Sequence, residues 1–386
     1  KLPTATLPGY TFLGWYDAAT GGNKIGGAGD SYTPTAAKTL YAHWSANAIT
    51  VKFSGNGATS GSMTDQVFTY DTAQALKSNG FSRAYTVTYN GNFSGKTPTL
   101  GATSQTATYT FKNWNNAAAG NGSHTYTNGQ TVTNPNGATS GTTYLYAQWN
   151  SASVKLPTAT LPGYTFLGWY DAATGGNKIG GAGDSYTPTA AKTLYAHWNV
   201  NTNTAYKVNV YVMNTSGGYP TTPTTHSYTG TTDTSVTIDQ SRYYPDKSGQ
   251  FSLDSDKSNV LTGTIEGDGS LVLVVYIKRA SHTVTYDSAT NGGSTATQTR
   301  TVYYQGAVDF TLKAEKSDWT FIGWNTDKNA TEKLDSLTMG TSNVTLYAIF
   351  SKTVTVHFYS GSKGAVHNQF QITFKNNETA GSVKSP

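Results

Sequence analysis

The stretch GYTFLGWYDAATGGNKIGGAGDSYTPTAAKTLYAHW, Gly9–Trp44, occurs again without a changed letter at Gly163–Trp198. With the leader KLPTATLP the identity runs from Lys1 against Lys155 to Trp44 against Trp198. A long self-match at a fixed separation marks an array of small units rather than one large globule. Within the stretch, Tyr10 and Phe12 fall on one face of an extended segment, Thr11 and Leu13 on the other, and Gly14 permits a kink before Trp15. This predicts a strand. The following DAATGGNKIGGAGDSYTPT is crowded with Gly, Asn, Asp and Pro, and reads as turns and loop with at most a short strand. In TLYAHW, Leu40 and Ala42 alternate with Tyr41 and His43 before Trp44, which predicts a second strand.

Aromatics at both ends of so small a unit are its expected core. At about 25 cal/mol per Å², a ring burying roughly 150–250 Å² contributes on the order of 4–6 kcal/mol before entropy is subtracted. Aromatics make up 13% of the chain and all hydrophobics only 36%, so large rings stand in for aliphatics. The expected core positions are Tyr10, Phe12, Trp15, Tyr41 and Trp44, and in the identical copy Tyr164, Phe166, Trp169, Tyr195 and Trp198. Phe111, Trp114, Tyr146 and Trp149 hold the matching places in a diverged copy, as do Phe321, Trp324, Tyr347 and Phe350 in another.

Taken in order, residues 1–44 are a closing half whose opening strands are missing. Residues 45–83 read as an opening half, with strands ITVKF and QVFTY and a short helix in DTAQALKSNG, capped by Asp71 or Thr72 and stopped at Asn79-Gly80. Residues 84–150 read as a diverged repeat (AYTVTYNGN, TYTFKNW, TTYLYAQW), and 151–198 as a closing half identical to 1–44. Residues 199–280 shift in composition and are expected to form a separate β-rich domain, with a hairpin turning at Asp268-Gly269 and Leu271–Ile277 as a central strand. Residues 281–350 form a diverged full repeat (TVTYDSATNGG, WTFIGWN, VTLYAIF), and 351–386 the opening half of another.

The 386 residues include no cysteine, which removes disulfide and thiolate chemistry. A net charge of +5 is spread over few charged residues, and no basic run exceeds Lys278-Arg279, so a nucleic-acid surface is not expected. No apolar run is long enough to span a bilayer, and Lys1 opens no signal peptide. Because the chain opens inside a repeat, an export signal and anchor are expected outside these residues.

The paired signatures GYTFLGWY with TLYAHW, TYTFKNW with YLYAQW, and WTFIGW with TLYAIF resemble the Listeria–Bacteroides repeat, also called the internalin B-type repeat, of bacterial surface proteins. The resemblance spans about 1–198 and 282–386. Lys112-Asn113 in place of a Leu-Gly pair, and Phe350 in place of the last Trp, depart from it. It implies a mainly β protein with short helices, a tandem and extended array of small β-grasp-like repeats. It also implies a stalk or adhesive module on the bacterial cell surface, with no catalytic residues to carry over.

The residues themselves agree that chemistry is sparse. Asp254-x-Asp256 has the opening spacing of a calcium loop, but Asn259 stands where that loop needs Gly and Ile265 where it needs Glu. The seven histidines are scattered, so no metal, cofactor or catalytic site is expected. Tyr16, Tyr32 and Tyr170 beside turn-rich loops are candidates for stacking on sugar rings, and no Lys, Asn and acid triplet for an isopeptide bond stands out. Expected partners are neighbouring repeats or copies of the chain itself, with surface glycans or host proteins as the alternative. The mismatched ends suggest that one molecule's opening half completes another's closing half.

Overall fold

A computed structural model describes residues 1–359 and 366–376, and the chain divides into two units, Lys1–Asn199 and Val200–Pro386. The chain is mainly β, with several small sheets and no helix longer than a single 3-10 turn among the described residues.

The plainest module lies in the second unit, where its parts follow one another in sequence. An opening strand, Ser281–Asp287, pairs antiparallel with a return strand, Gln298–Tyr303. An outer closing strand, Thr320–Asn325, pairs antiparallel with an inner closing strand, Val344–Tyr359, which lies parallel to the opening strand. The order across the sheet is return, opening, inner, outer. Alternation then delivers Val284 and Tyr286 from the opening half, and Trp324, Leu346, Ala348 and Phe350 from the closing half, into one buried core. Neither half contains enough apolar surface to close that core alone.

The segment before it, also in the second unit, has its own core of Val208, Val210, Phe251, Leu273, Val275 and Ile277. Its strands, Thr204–Val212, Thr224–Gly230, Phe251–Leu253 and Val272–Arg279, have the same order and the same central parallel pair. The hairpin expected around Asp268-Gly269 is reduced to a single antiparallel bridge, Val260 with Val274. Thr262–Thr264 pairs with Ser235–Thr237 instead.

In the first unit, two modules of this kind are interleaved. The opening strand Ala48–Ser54 and return strand Gln66–Thr69 join the closing strands Phe111–Asn115 and Gly141–Trp149. The opening strand Phe81–Asn90 and return strand Ser104–Tyr109 join Tyr164–Tyr170 and Lys192–Val200. Residues 84–150, expected to be one diverged repeat, are therefore shared between two modules. The cause is the link. Return and outer strands run in the same direction on opposite edges of a module, three strand spacings or roughly 14 Å apart, so the chain must cross the sheet and come back its length. Only Thr110 separates Tyr109 from Phe111, a reach of at most about 7 Å. The fourth module uses residues 304–319 for the same crossing.

Interleaving also removes the short helix expected at Asp71–Gly80. Gln74–Ala75 pairs with Thr131–Val132, as Val154–Lys155 pairs with Ser185–Tyr186 in the second module. The segment is thus the leader strand of the first module. Gln66 fastens it, its Nε2 donating to the Ala75 carbonyl (2.8 Å) and its Oε1 accepting from the Lys77 amide (2.8 Å), while Leu76 is buried. Tertiary pairing overrides local helix propensity here.

Two halves are left over. At the amino end, Tyr10–Tyr16, Lys24–Gly26 and Tyr41–Ala46 form a three-stranded sheet with Tyr41–Ala46 at its edge. At the other end the inner strand Val344–Tyr359 runs on into a hairpin with Val366–Lys375. The sequence expectation for 351–386 otherwise lies outside the described residues.

Candidate functional site

What recurs in the first, second and fourth modules is a seam of one design between an opening and a closing half. At its centre an aromatic ring of the opening strand meets the tryptophan of the outer strand: Phe53 with Trp114 at 5.0 Å, Tyr89 with Trp169 at 4.9 Å, and Tyr286 with Trp324 at 5.2 Å between centroids. The same ring lies opposite the leucine of the inner strand, Phe53 facing Leu145, Tyr89 facing Leu194 and Tyr286 facing Leu346. Burial pushes the Tyr89 and Tyr286 hydroxyls above the usual tyrosine range.

Beyond the opening strand an asparagine clamps the two halves. Asn56 Nδ2 donates to the carbonyls of Ala118 and Ala147 (2.8 and 2.9 Å). Asn92 does so to Ala173 and Ala196 (2.8 and 3.0 Å), and Asn291 to Lys328 and Ala348 (3.1 and 2.9 Å). Asn56 and Asn92 sit at φ 46° and 50°, a region that asparagine tolerates better than most residues. The closing tryptophan adds a return bond, Trp149 Nε1 to the Gly55 carbonyl (3.1 Å) and Trp198 Nε1 to Gly91 (2.8 Å). Phe350, in the fourth module, cannot donate and is fully buried instead.

Of the core positions named from the sequence, Trp114, Trp169, Trp324 and Phe350 are fully buried, in three separate cores. Phe12, Trp15, Trp44, Phe111, Trp149, Phe166, Trp198 and Phe321 are half-buried. Tyr10 and Tyr164 are also half-buried, Tyr10 against Tyr70 and Tyr164 against Phe93. The tyrosine of each LYA is not a core residue: Tyr146, Tyr195 and Tyr347 are half-buried and Tyr41 is 39% exposed. Strand alternation instead buries its neighbours, Leu145 and Ala147, Leu194 and Ala196, Leu346 and Ala348. The clamp asparagines had only a turn signal in the sequence, Gly-Asn at 55–56 and 91–92 and Asn-Gly at 291–292, and were missed.

The departure at Lys112-Asn113 has a cost. Gly14 and Gly168 stand at φ 134° and 133°, where an added Cβ would lie 2.6 Å from a lysine Cε and 2.8 Å from a backbone oxygen. Asn113 occupies this place in the first module, and its Oδ1 is buried without a partner. Trp114 Nε1 is unpartnered too. Trp15, Trp169 and Trp324 each donate at 2.8 Å to the carbonyl of the residue twelve positions earlier, Pro3, Pro157 and Leu312. For Trp114 that residue is Ala102, which interleaving has placed in the second module.

The amino-terminal half repeats these closing-half features with no opening half against it. Trp15 and Leu40 are half-buried there, whereas Trp169 and Leu194 are fully buried. Elsewhere the polar groups are structural. Asp254 is buried, accepts from the Tyr219 hydroxyl (2.7 Å), and that bond holds its carboxyl below the usual range. Tyr16 and Tyr170 stack flat on His43 and His197 at 3.9 Å, so one face of each ring is covered. Among the described residues, no three His, Cys, Asp or Glu side chains gather to hold a metal.

The family model described as the Listeria-Bacteroides repeat domain matches residues 1–43, 120–197 and 282–349. The chain carries Listeria–Bacteroides repeats. The third match covers the contiguous fourth module, and the first covers the unpaired closing half. A 53-residue stretch is 53% identical to internalin H of Listeria monocytogenes, covering 14% of this chain and 10% of that protein. Over 274 residues the repeat protein is 27% identical to a Gly-rich membrane protein of Evansella cellulosilytica, covering 62% of this chain and 30% of that one. It therefore spans less than a third of the length of either relative. No helix among the described residues is long and apolar enough to cross a membrane.

Proposed function

We propose that the protein is a non-enzymatic structural segment of a bacterial cell-surface protein, a stalk whose modules set a distance from the cell. The observation that carries this reading is where the recurring chemistry of the repeats is used. Clamp asparagines, the aromatic rings of the opening strands and the indole N–H groups of Trp149 and Trp198 bind one half of a module to the other. Its relatives are named as an internalin and a membrane protein, which supports placement at the cell surface. The central parallel pair supports the β-grasp-like description.

The test is to display the protein between a cell anchor and a terminal epitope, then remove the fourth module. A spacer predicts that epitope height, read by electron microscopy or fluorescence interference, falls with module number and ignores substitutions at Tyr16 or Tyr170. A glycan array probed with the whole chain should be silent. Specific binding there, lost on substituting those tyrosines, would replace the spacer with an adhesin.

A further inference from the structure

Two of the three clamp asparagines are followed by glycine, Asn56-Gly57 and Asn291-Gly292, whereas Asn92 is followed by Phe93. The glycines have a backbone reason, standing at φ 86° and 77° where other residues are strained. They also create a reactive pair. A glycine nitrogen, with no side chain beside it, can swing against the side-chain carbonyl carbon of the asparagine before it. The bond from this nitrogen to Cγ forms, the bond from Cγ to Nδ2 breaks, and the backbone amide proton leaves with Nδ2 as ammonia. Solvent water then opens the succinimide ring on either side, giving aspartate or isoaspartate. The reaction needs neither an enzyme nor an oxidant.

A joined module holds this chemistry off. Asn56 Nδ2 is bonded to the Ala118 and Ala147 carbonyls and Asn291 Nδ2 to those of Lys328 and Ala348, so the leaving group is fixed on the closing half. Asn291 is only 1% exposed, and the nitrogen that would attack it, that of Gly292, donates to the Ala289 carbonyl at 2.9 Å. Opening the seam frees both side chains. We propose that Asn56 and Asn291 are modification sites gated by the seam: a closed module keeps the amide, and an opened one converts it irreversibly to a carboxylate.

The product cannot clamp. A carboxylate has no hydrogen to donate, and reclosure would press its oxygens against two carbonyl oxygens, leaving an unpaired charge buried at position 291. Isoaspartate also lengthens the backbone just beyond the opening strand. An opened first or fourth module is therefore kept open. The second module recloses unchanged, because the Phe93 side chain hinders the attack on Asn92 and its ring is itself packed against Tyr164 at 4.7 Å. The gate depends on the seam geometry and is independent of the spacer reading.

Peptide mapping of the whole chain by mass spectrometry tests this, after long incubation in buffer and in enough urea to unfold it. The variants Leu145→Ala and Leu346→Ala weaken the first and fourth seams, where these leucines are fully buried opposite Phe53 and Tyr286. In buffer, Asn56 and Asn291 should react about tenfold or more slowly than in urea. Leu346→Ala should speed the reaction at Asn291 and not at Asn56, Leu145→Ala the reverse, and Asn92 should stay intact throughout. Chains held in urea and then diluted should regain amide protection in the fourth module only where Asn291 is unreacted. Equal rates in buffer and urea, or rates unmoved by the leucine variants, would show that the seam is no gate and overturn the inference. So would reaction at Asn92 in urea as fast as at Asn56 and Asn291, or full recovery of protection by reacted chains. None of these outcomes alters epitope height in the displayed protein, so the spacer reading stands or falls separately.

Discussion

Residues 1–44 and 155–198 have one sequence and two environments, and the pair separates what local sequence determines from what a partner adds. The local features are the same. Phe12 meets Trp15 at 5.6 Å and Phe166 meets Trp169 at 5.5 Å; Tyr16 and Tyr170 lie on their histidines at one distance; both outer tryptophans reach the proline carbonyl twelve residues back. Burial differs wherever the opening half would lie. Leu7 is 42% exposed and Leu161 only 4%, and Ala42 is half-buried while Ala196 is sealed. The inner strand itself begins at Tyr41 in one copy and at Lys192, the counterpart of Lys38, in the other. A parallel partner extends the strand; without it the same residues stop short.

The largest test of this contrast is tryptophan removal. W169A should cost about 3–5 kcal/mol, the usual loss for a fully buried large ring, and W15A roughly half as much. Urea unfolding, with amide exchange read separately in each copy, measures both. Equal losses would mean that the amino-terminal copy is already completed in solution, and a W15A cost that grows with protein concentration would point to completion by another molecule. Next in size is N92A. It leaves the Ala173 and Ala196 carbonyls without their clamp and should cost about 1–3 kcal/mol. Exchange should quicken across 164–200 and stay unchanged in 1–46.

How much of this was legible follows from the same contrast. Strand positions and the repeat period rest on side-chain alternation and turn chemistry, which are local, so TLYAHW, WTFIGW and ITVKF read correctly. Which half joins which is a long-range matter. The only sequence cue was the single residue between TATY and FKNW, and its meaning appears once return and outer strands are known to run in the same direction. The LYA tyrosines misled because an aromatic beside an alanine looks like the core residue, while the strand buries the leucine and the alanine. ALKSNG has good helix formers, but Leu76 gains more from the first module's core than a short helix would gain from propensity.

Interleaving itself can be tested with two conservative changes. Trp169→Phe removes a donor and leaves the buried Pro157 carbonyl unmatched, whereas Trp114→Phe removes an indole N–H that has no partner. Both lose similar ring volume. The first should therefore be the more damaging by about 1 kcal/mol, read as a difference in urea midpoint at unchanged slope. Equal effects would mean that Trp114 Nε1 finds an acceptor, and the leader strand of the first module would then have to sit differently.

The smallest effect is the one expected to be the same in both copies. Asp17 and Asp171 accept the backbone amides of Asn23 and Asn177, each at 2.7 Å, and these bonds hold both carboxyls below the usual aspartate range. A carboxyl with a lowered folded pKa stabilises fully above its unfolded value, about 3.9. That contribution is lost as pH falls through the lower folded value. Since the loop is built from its own residues and not from the opening half, the two carboxyls should titrate at one midpoint in an NMR experiment. Asp17→Asn and Asp171→Asn should likewise shift acid stability equally and slightly. A midpoint for Asp17 well above that of Asp171 would show that the missing half reaches into the loop, and that even the turn needs the completed module to hold its shape.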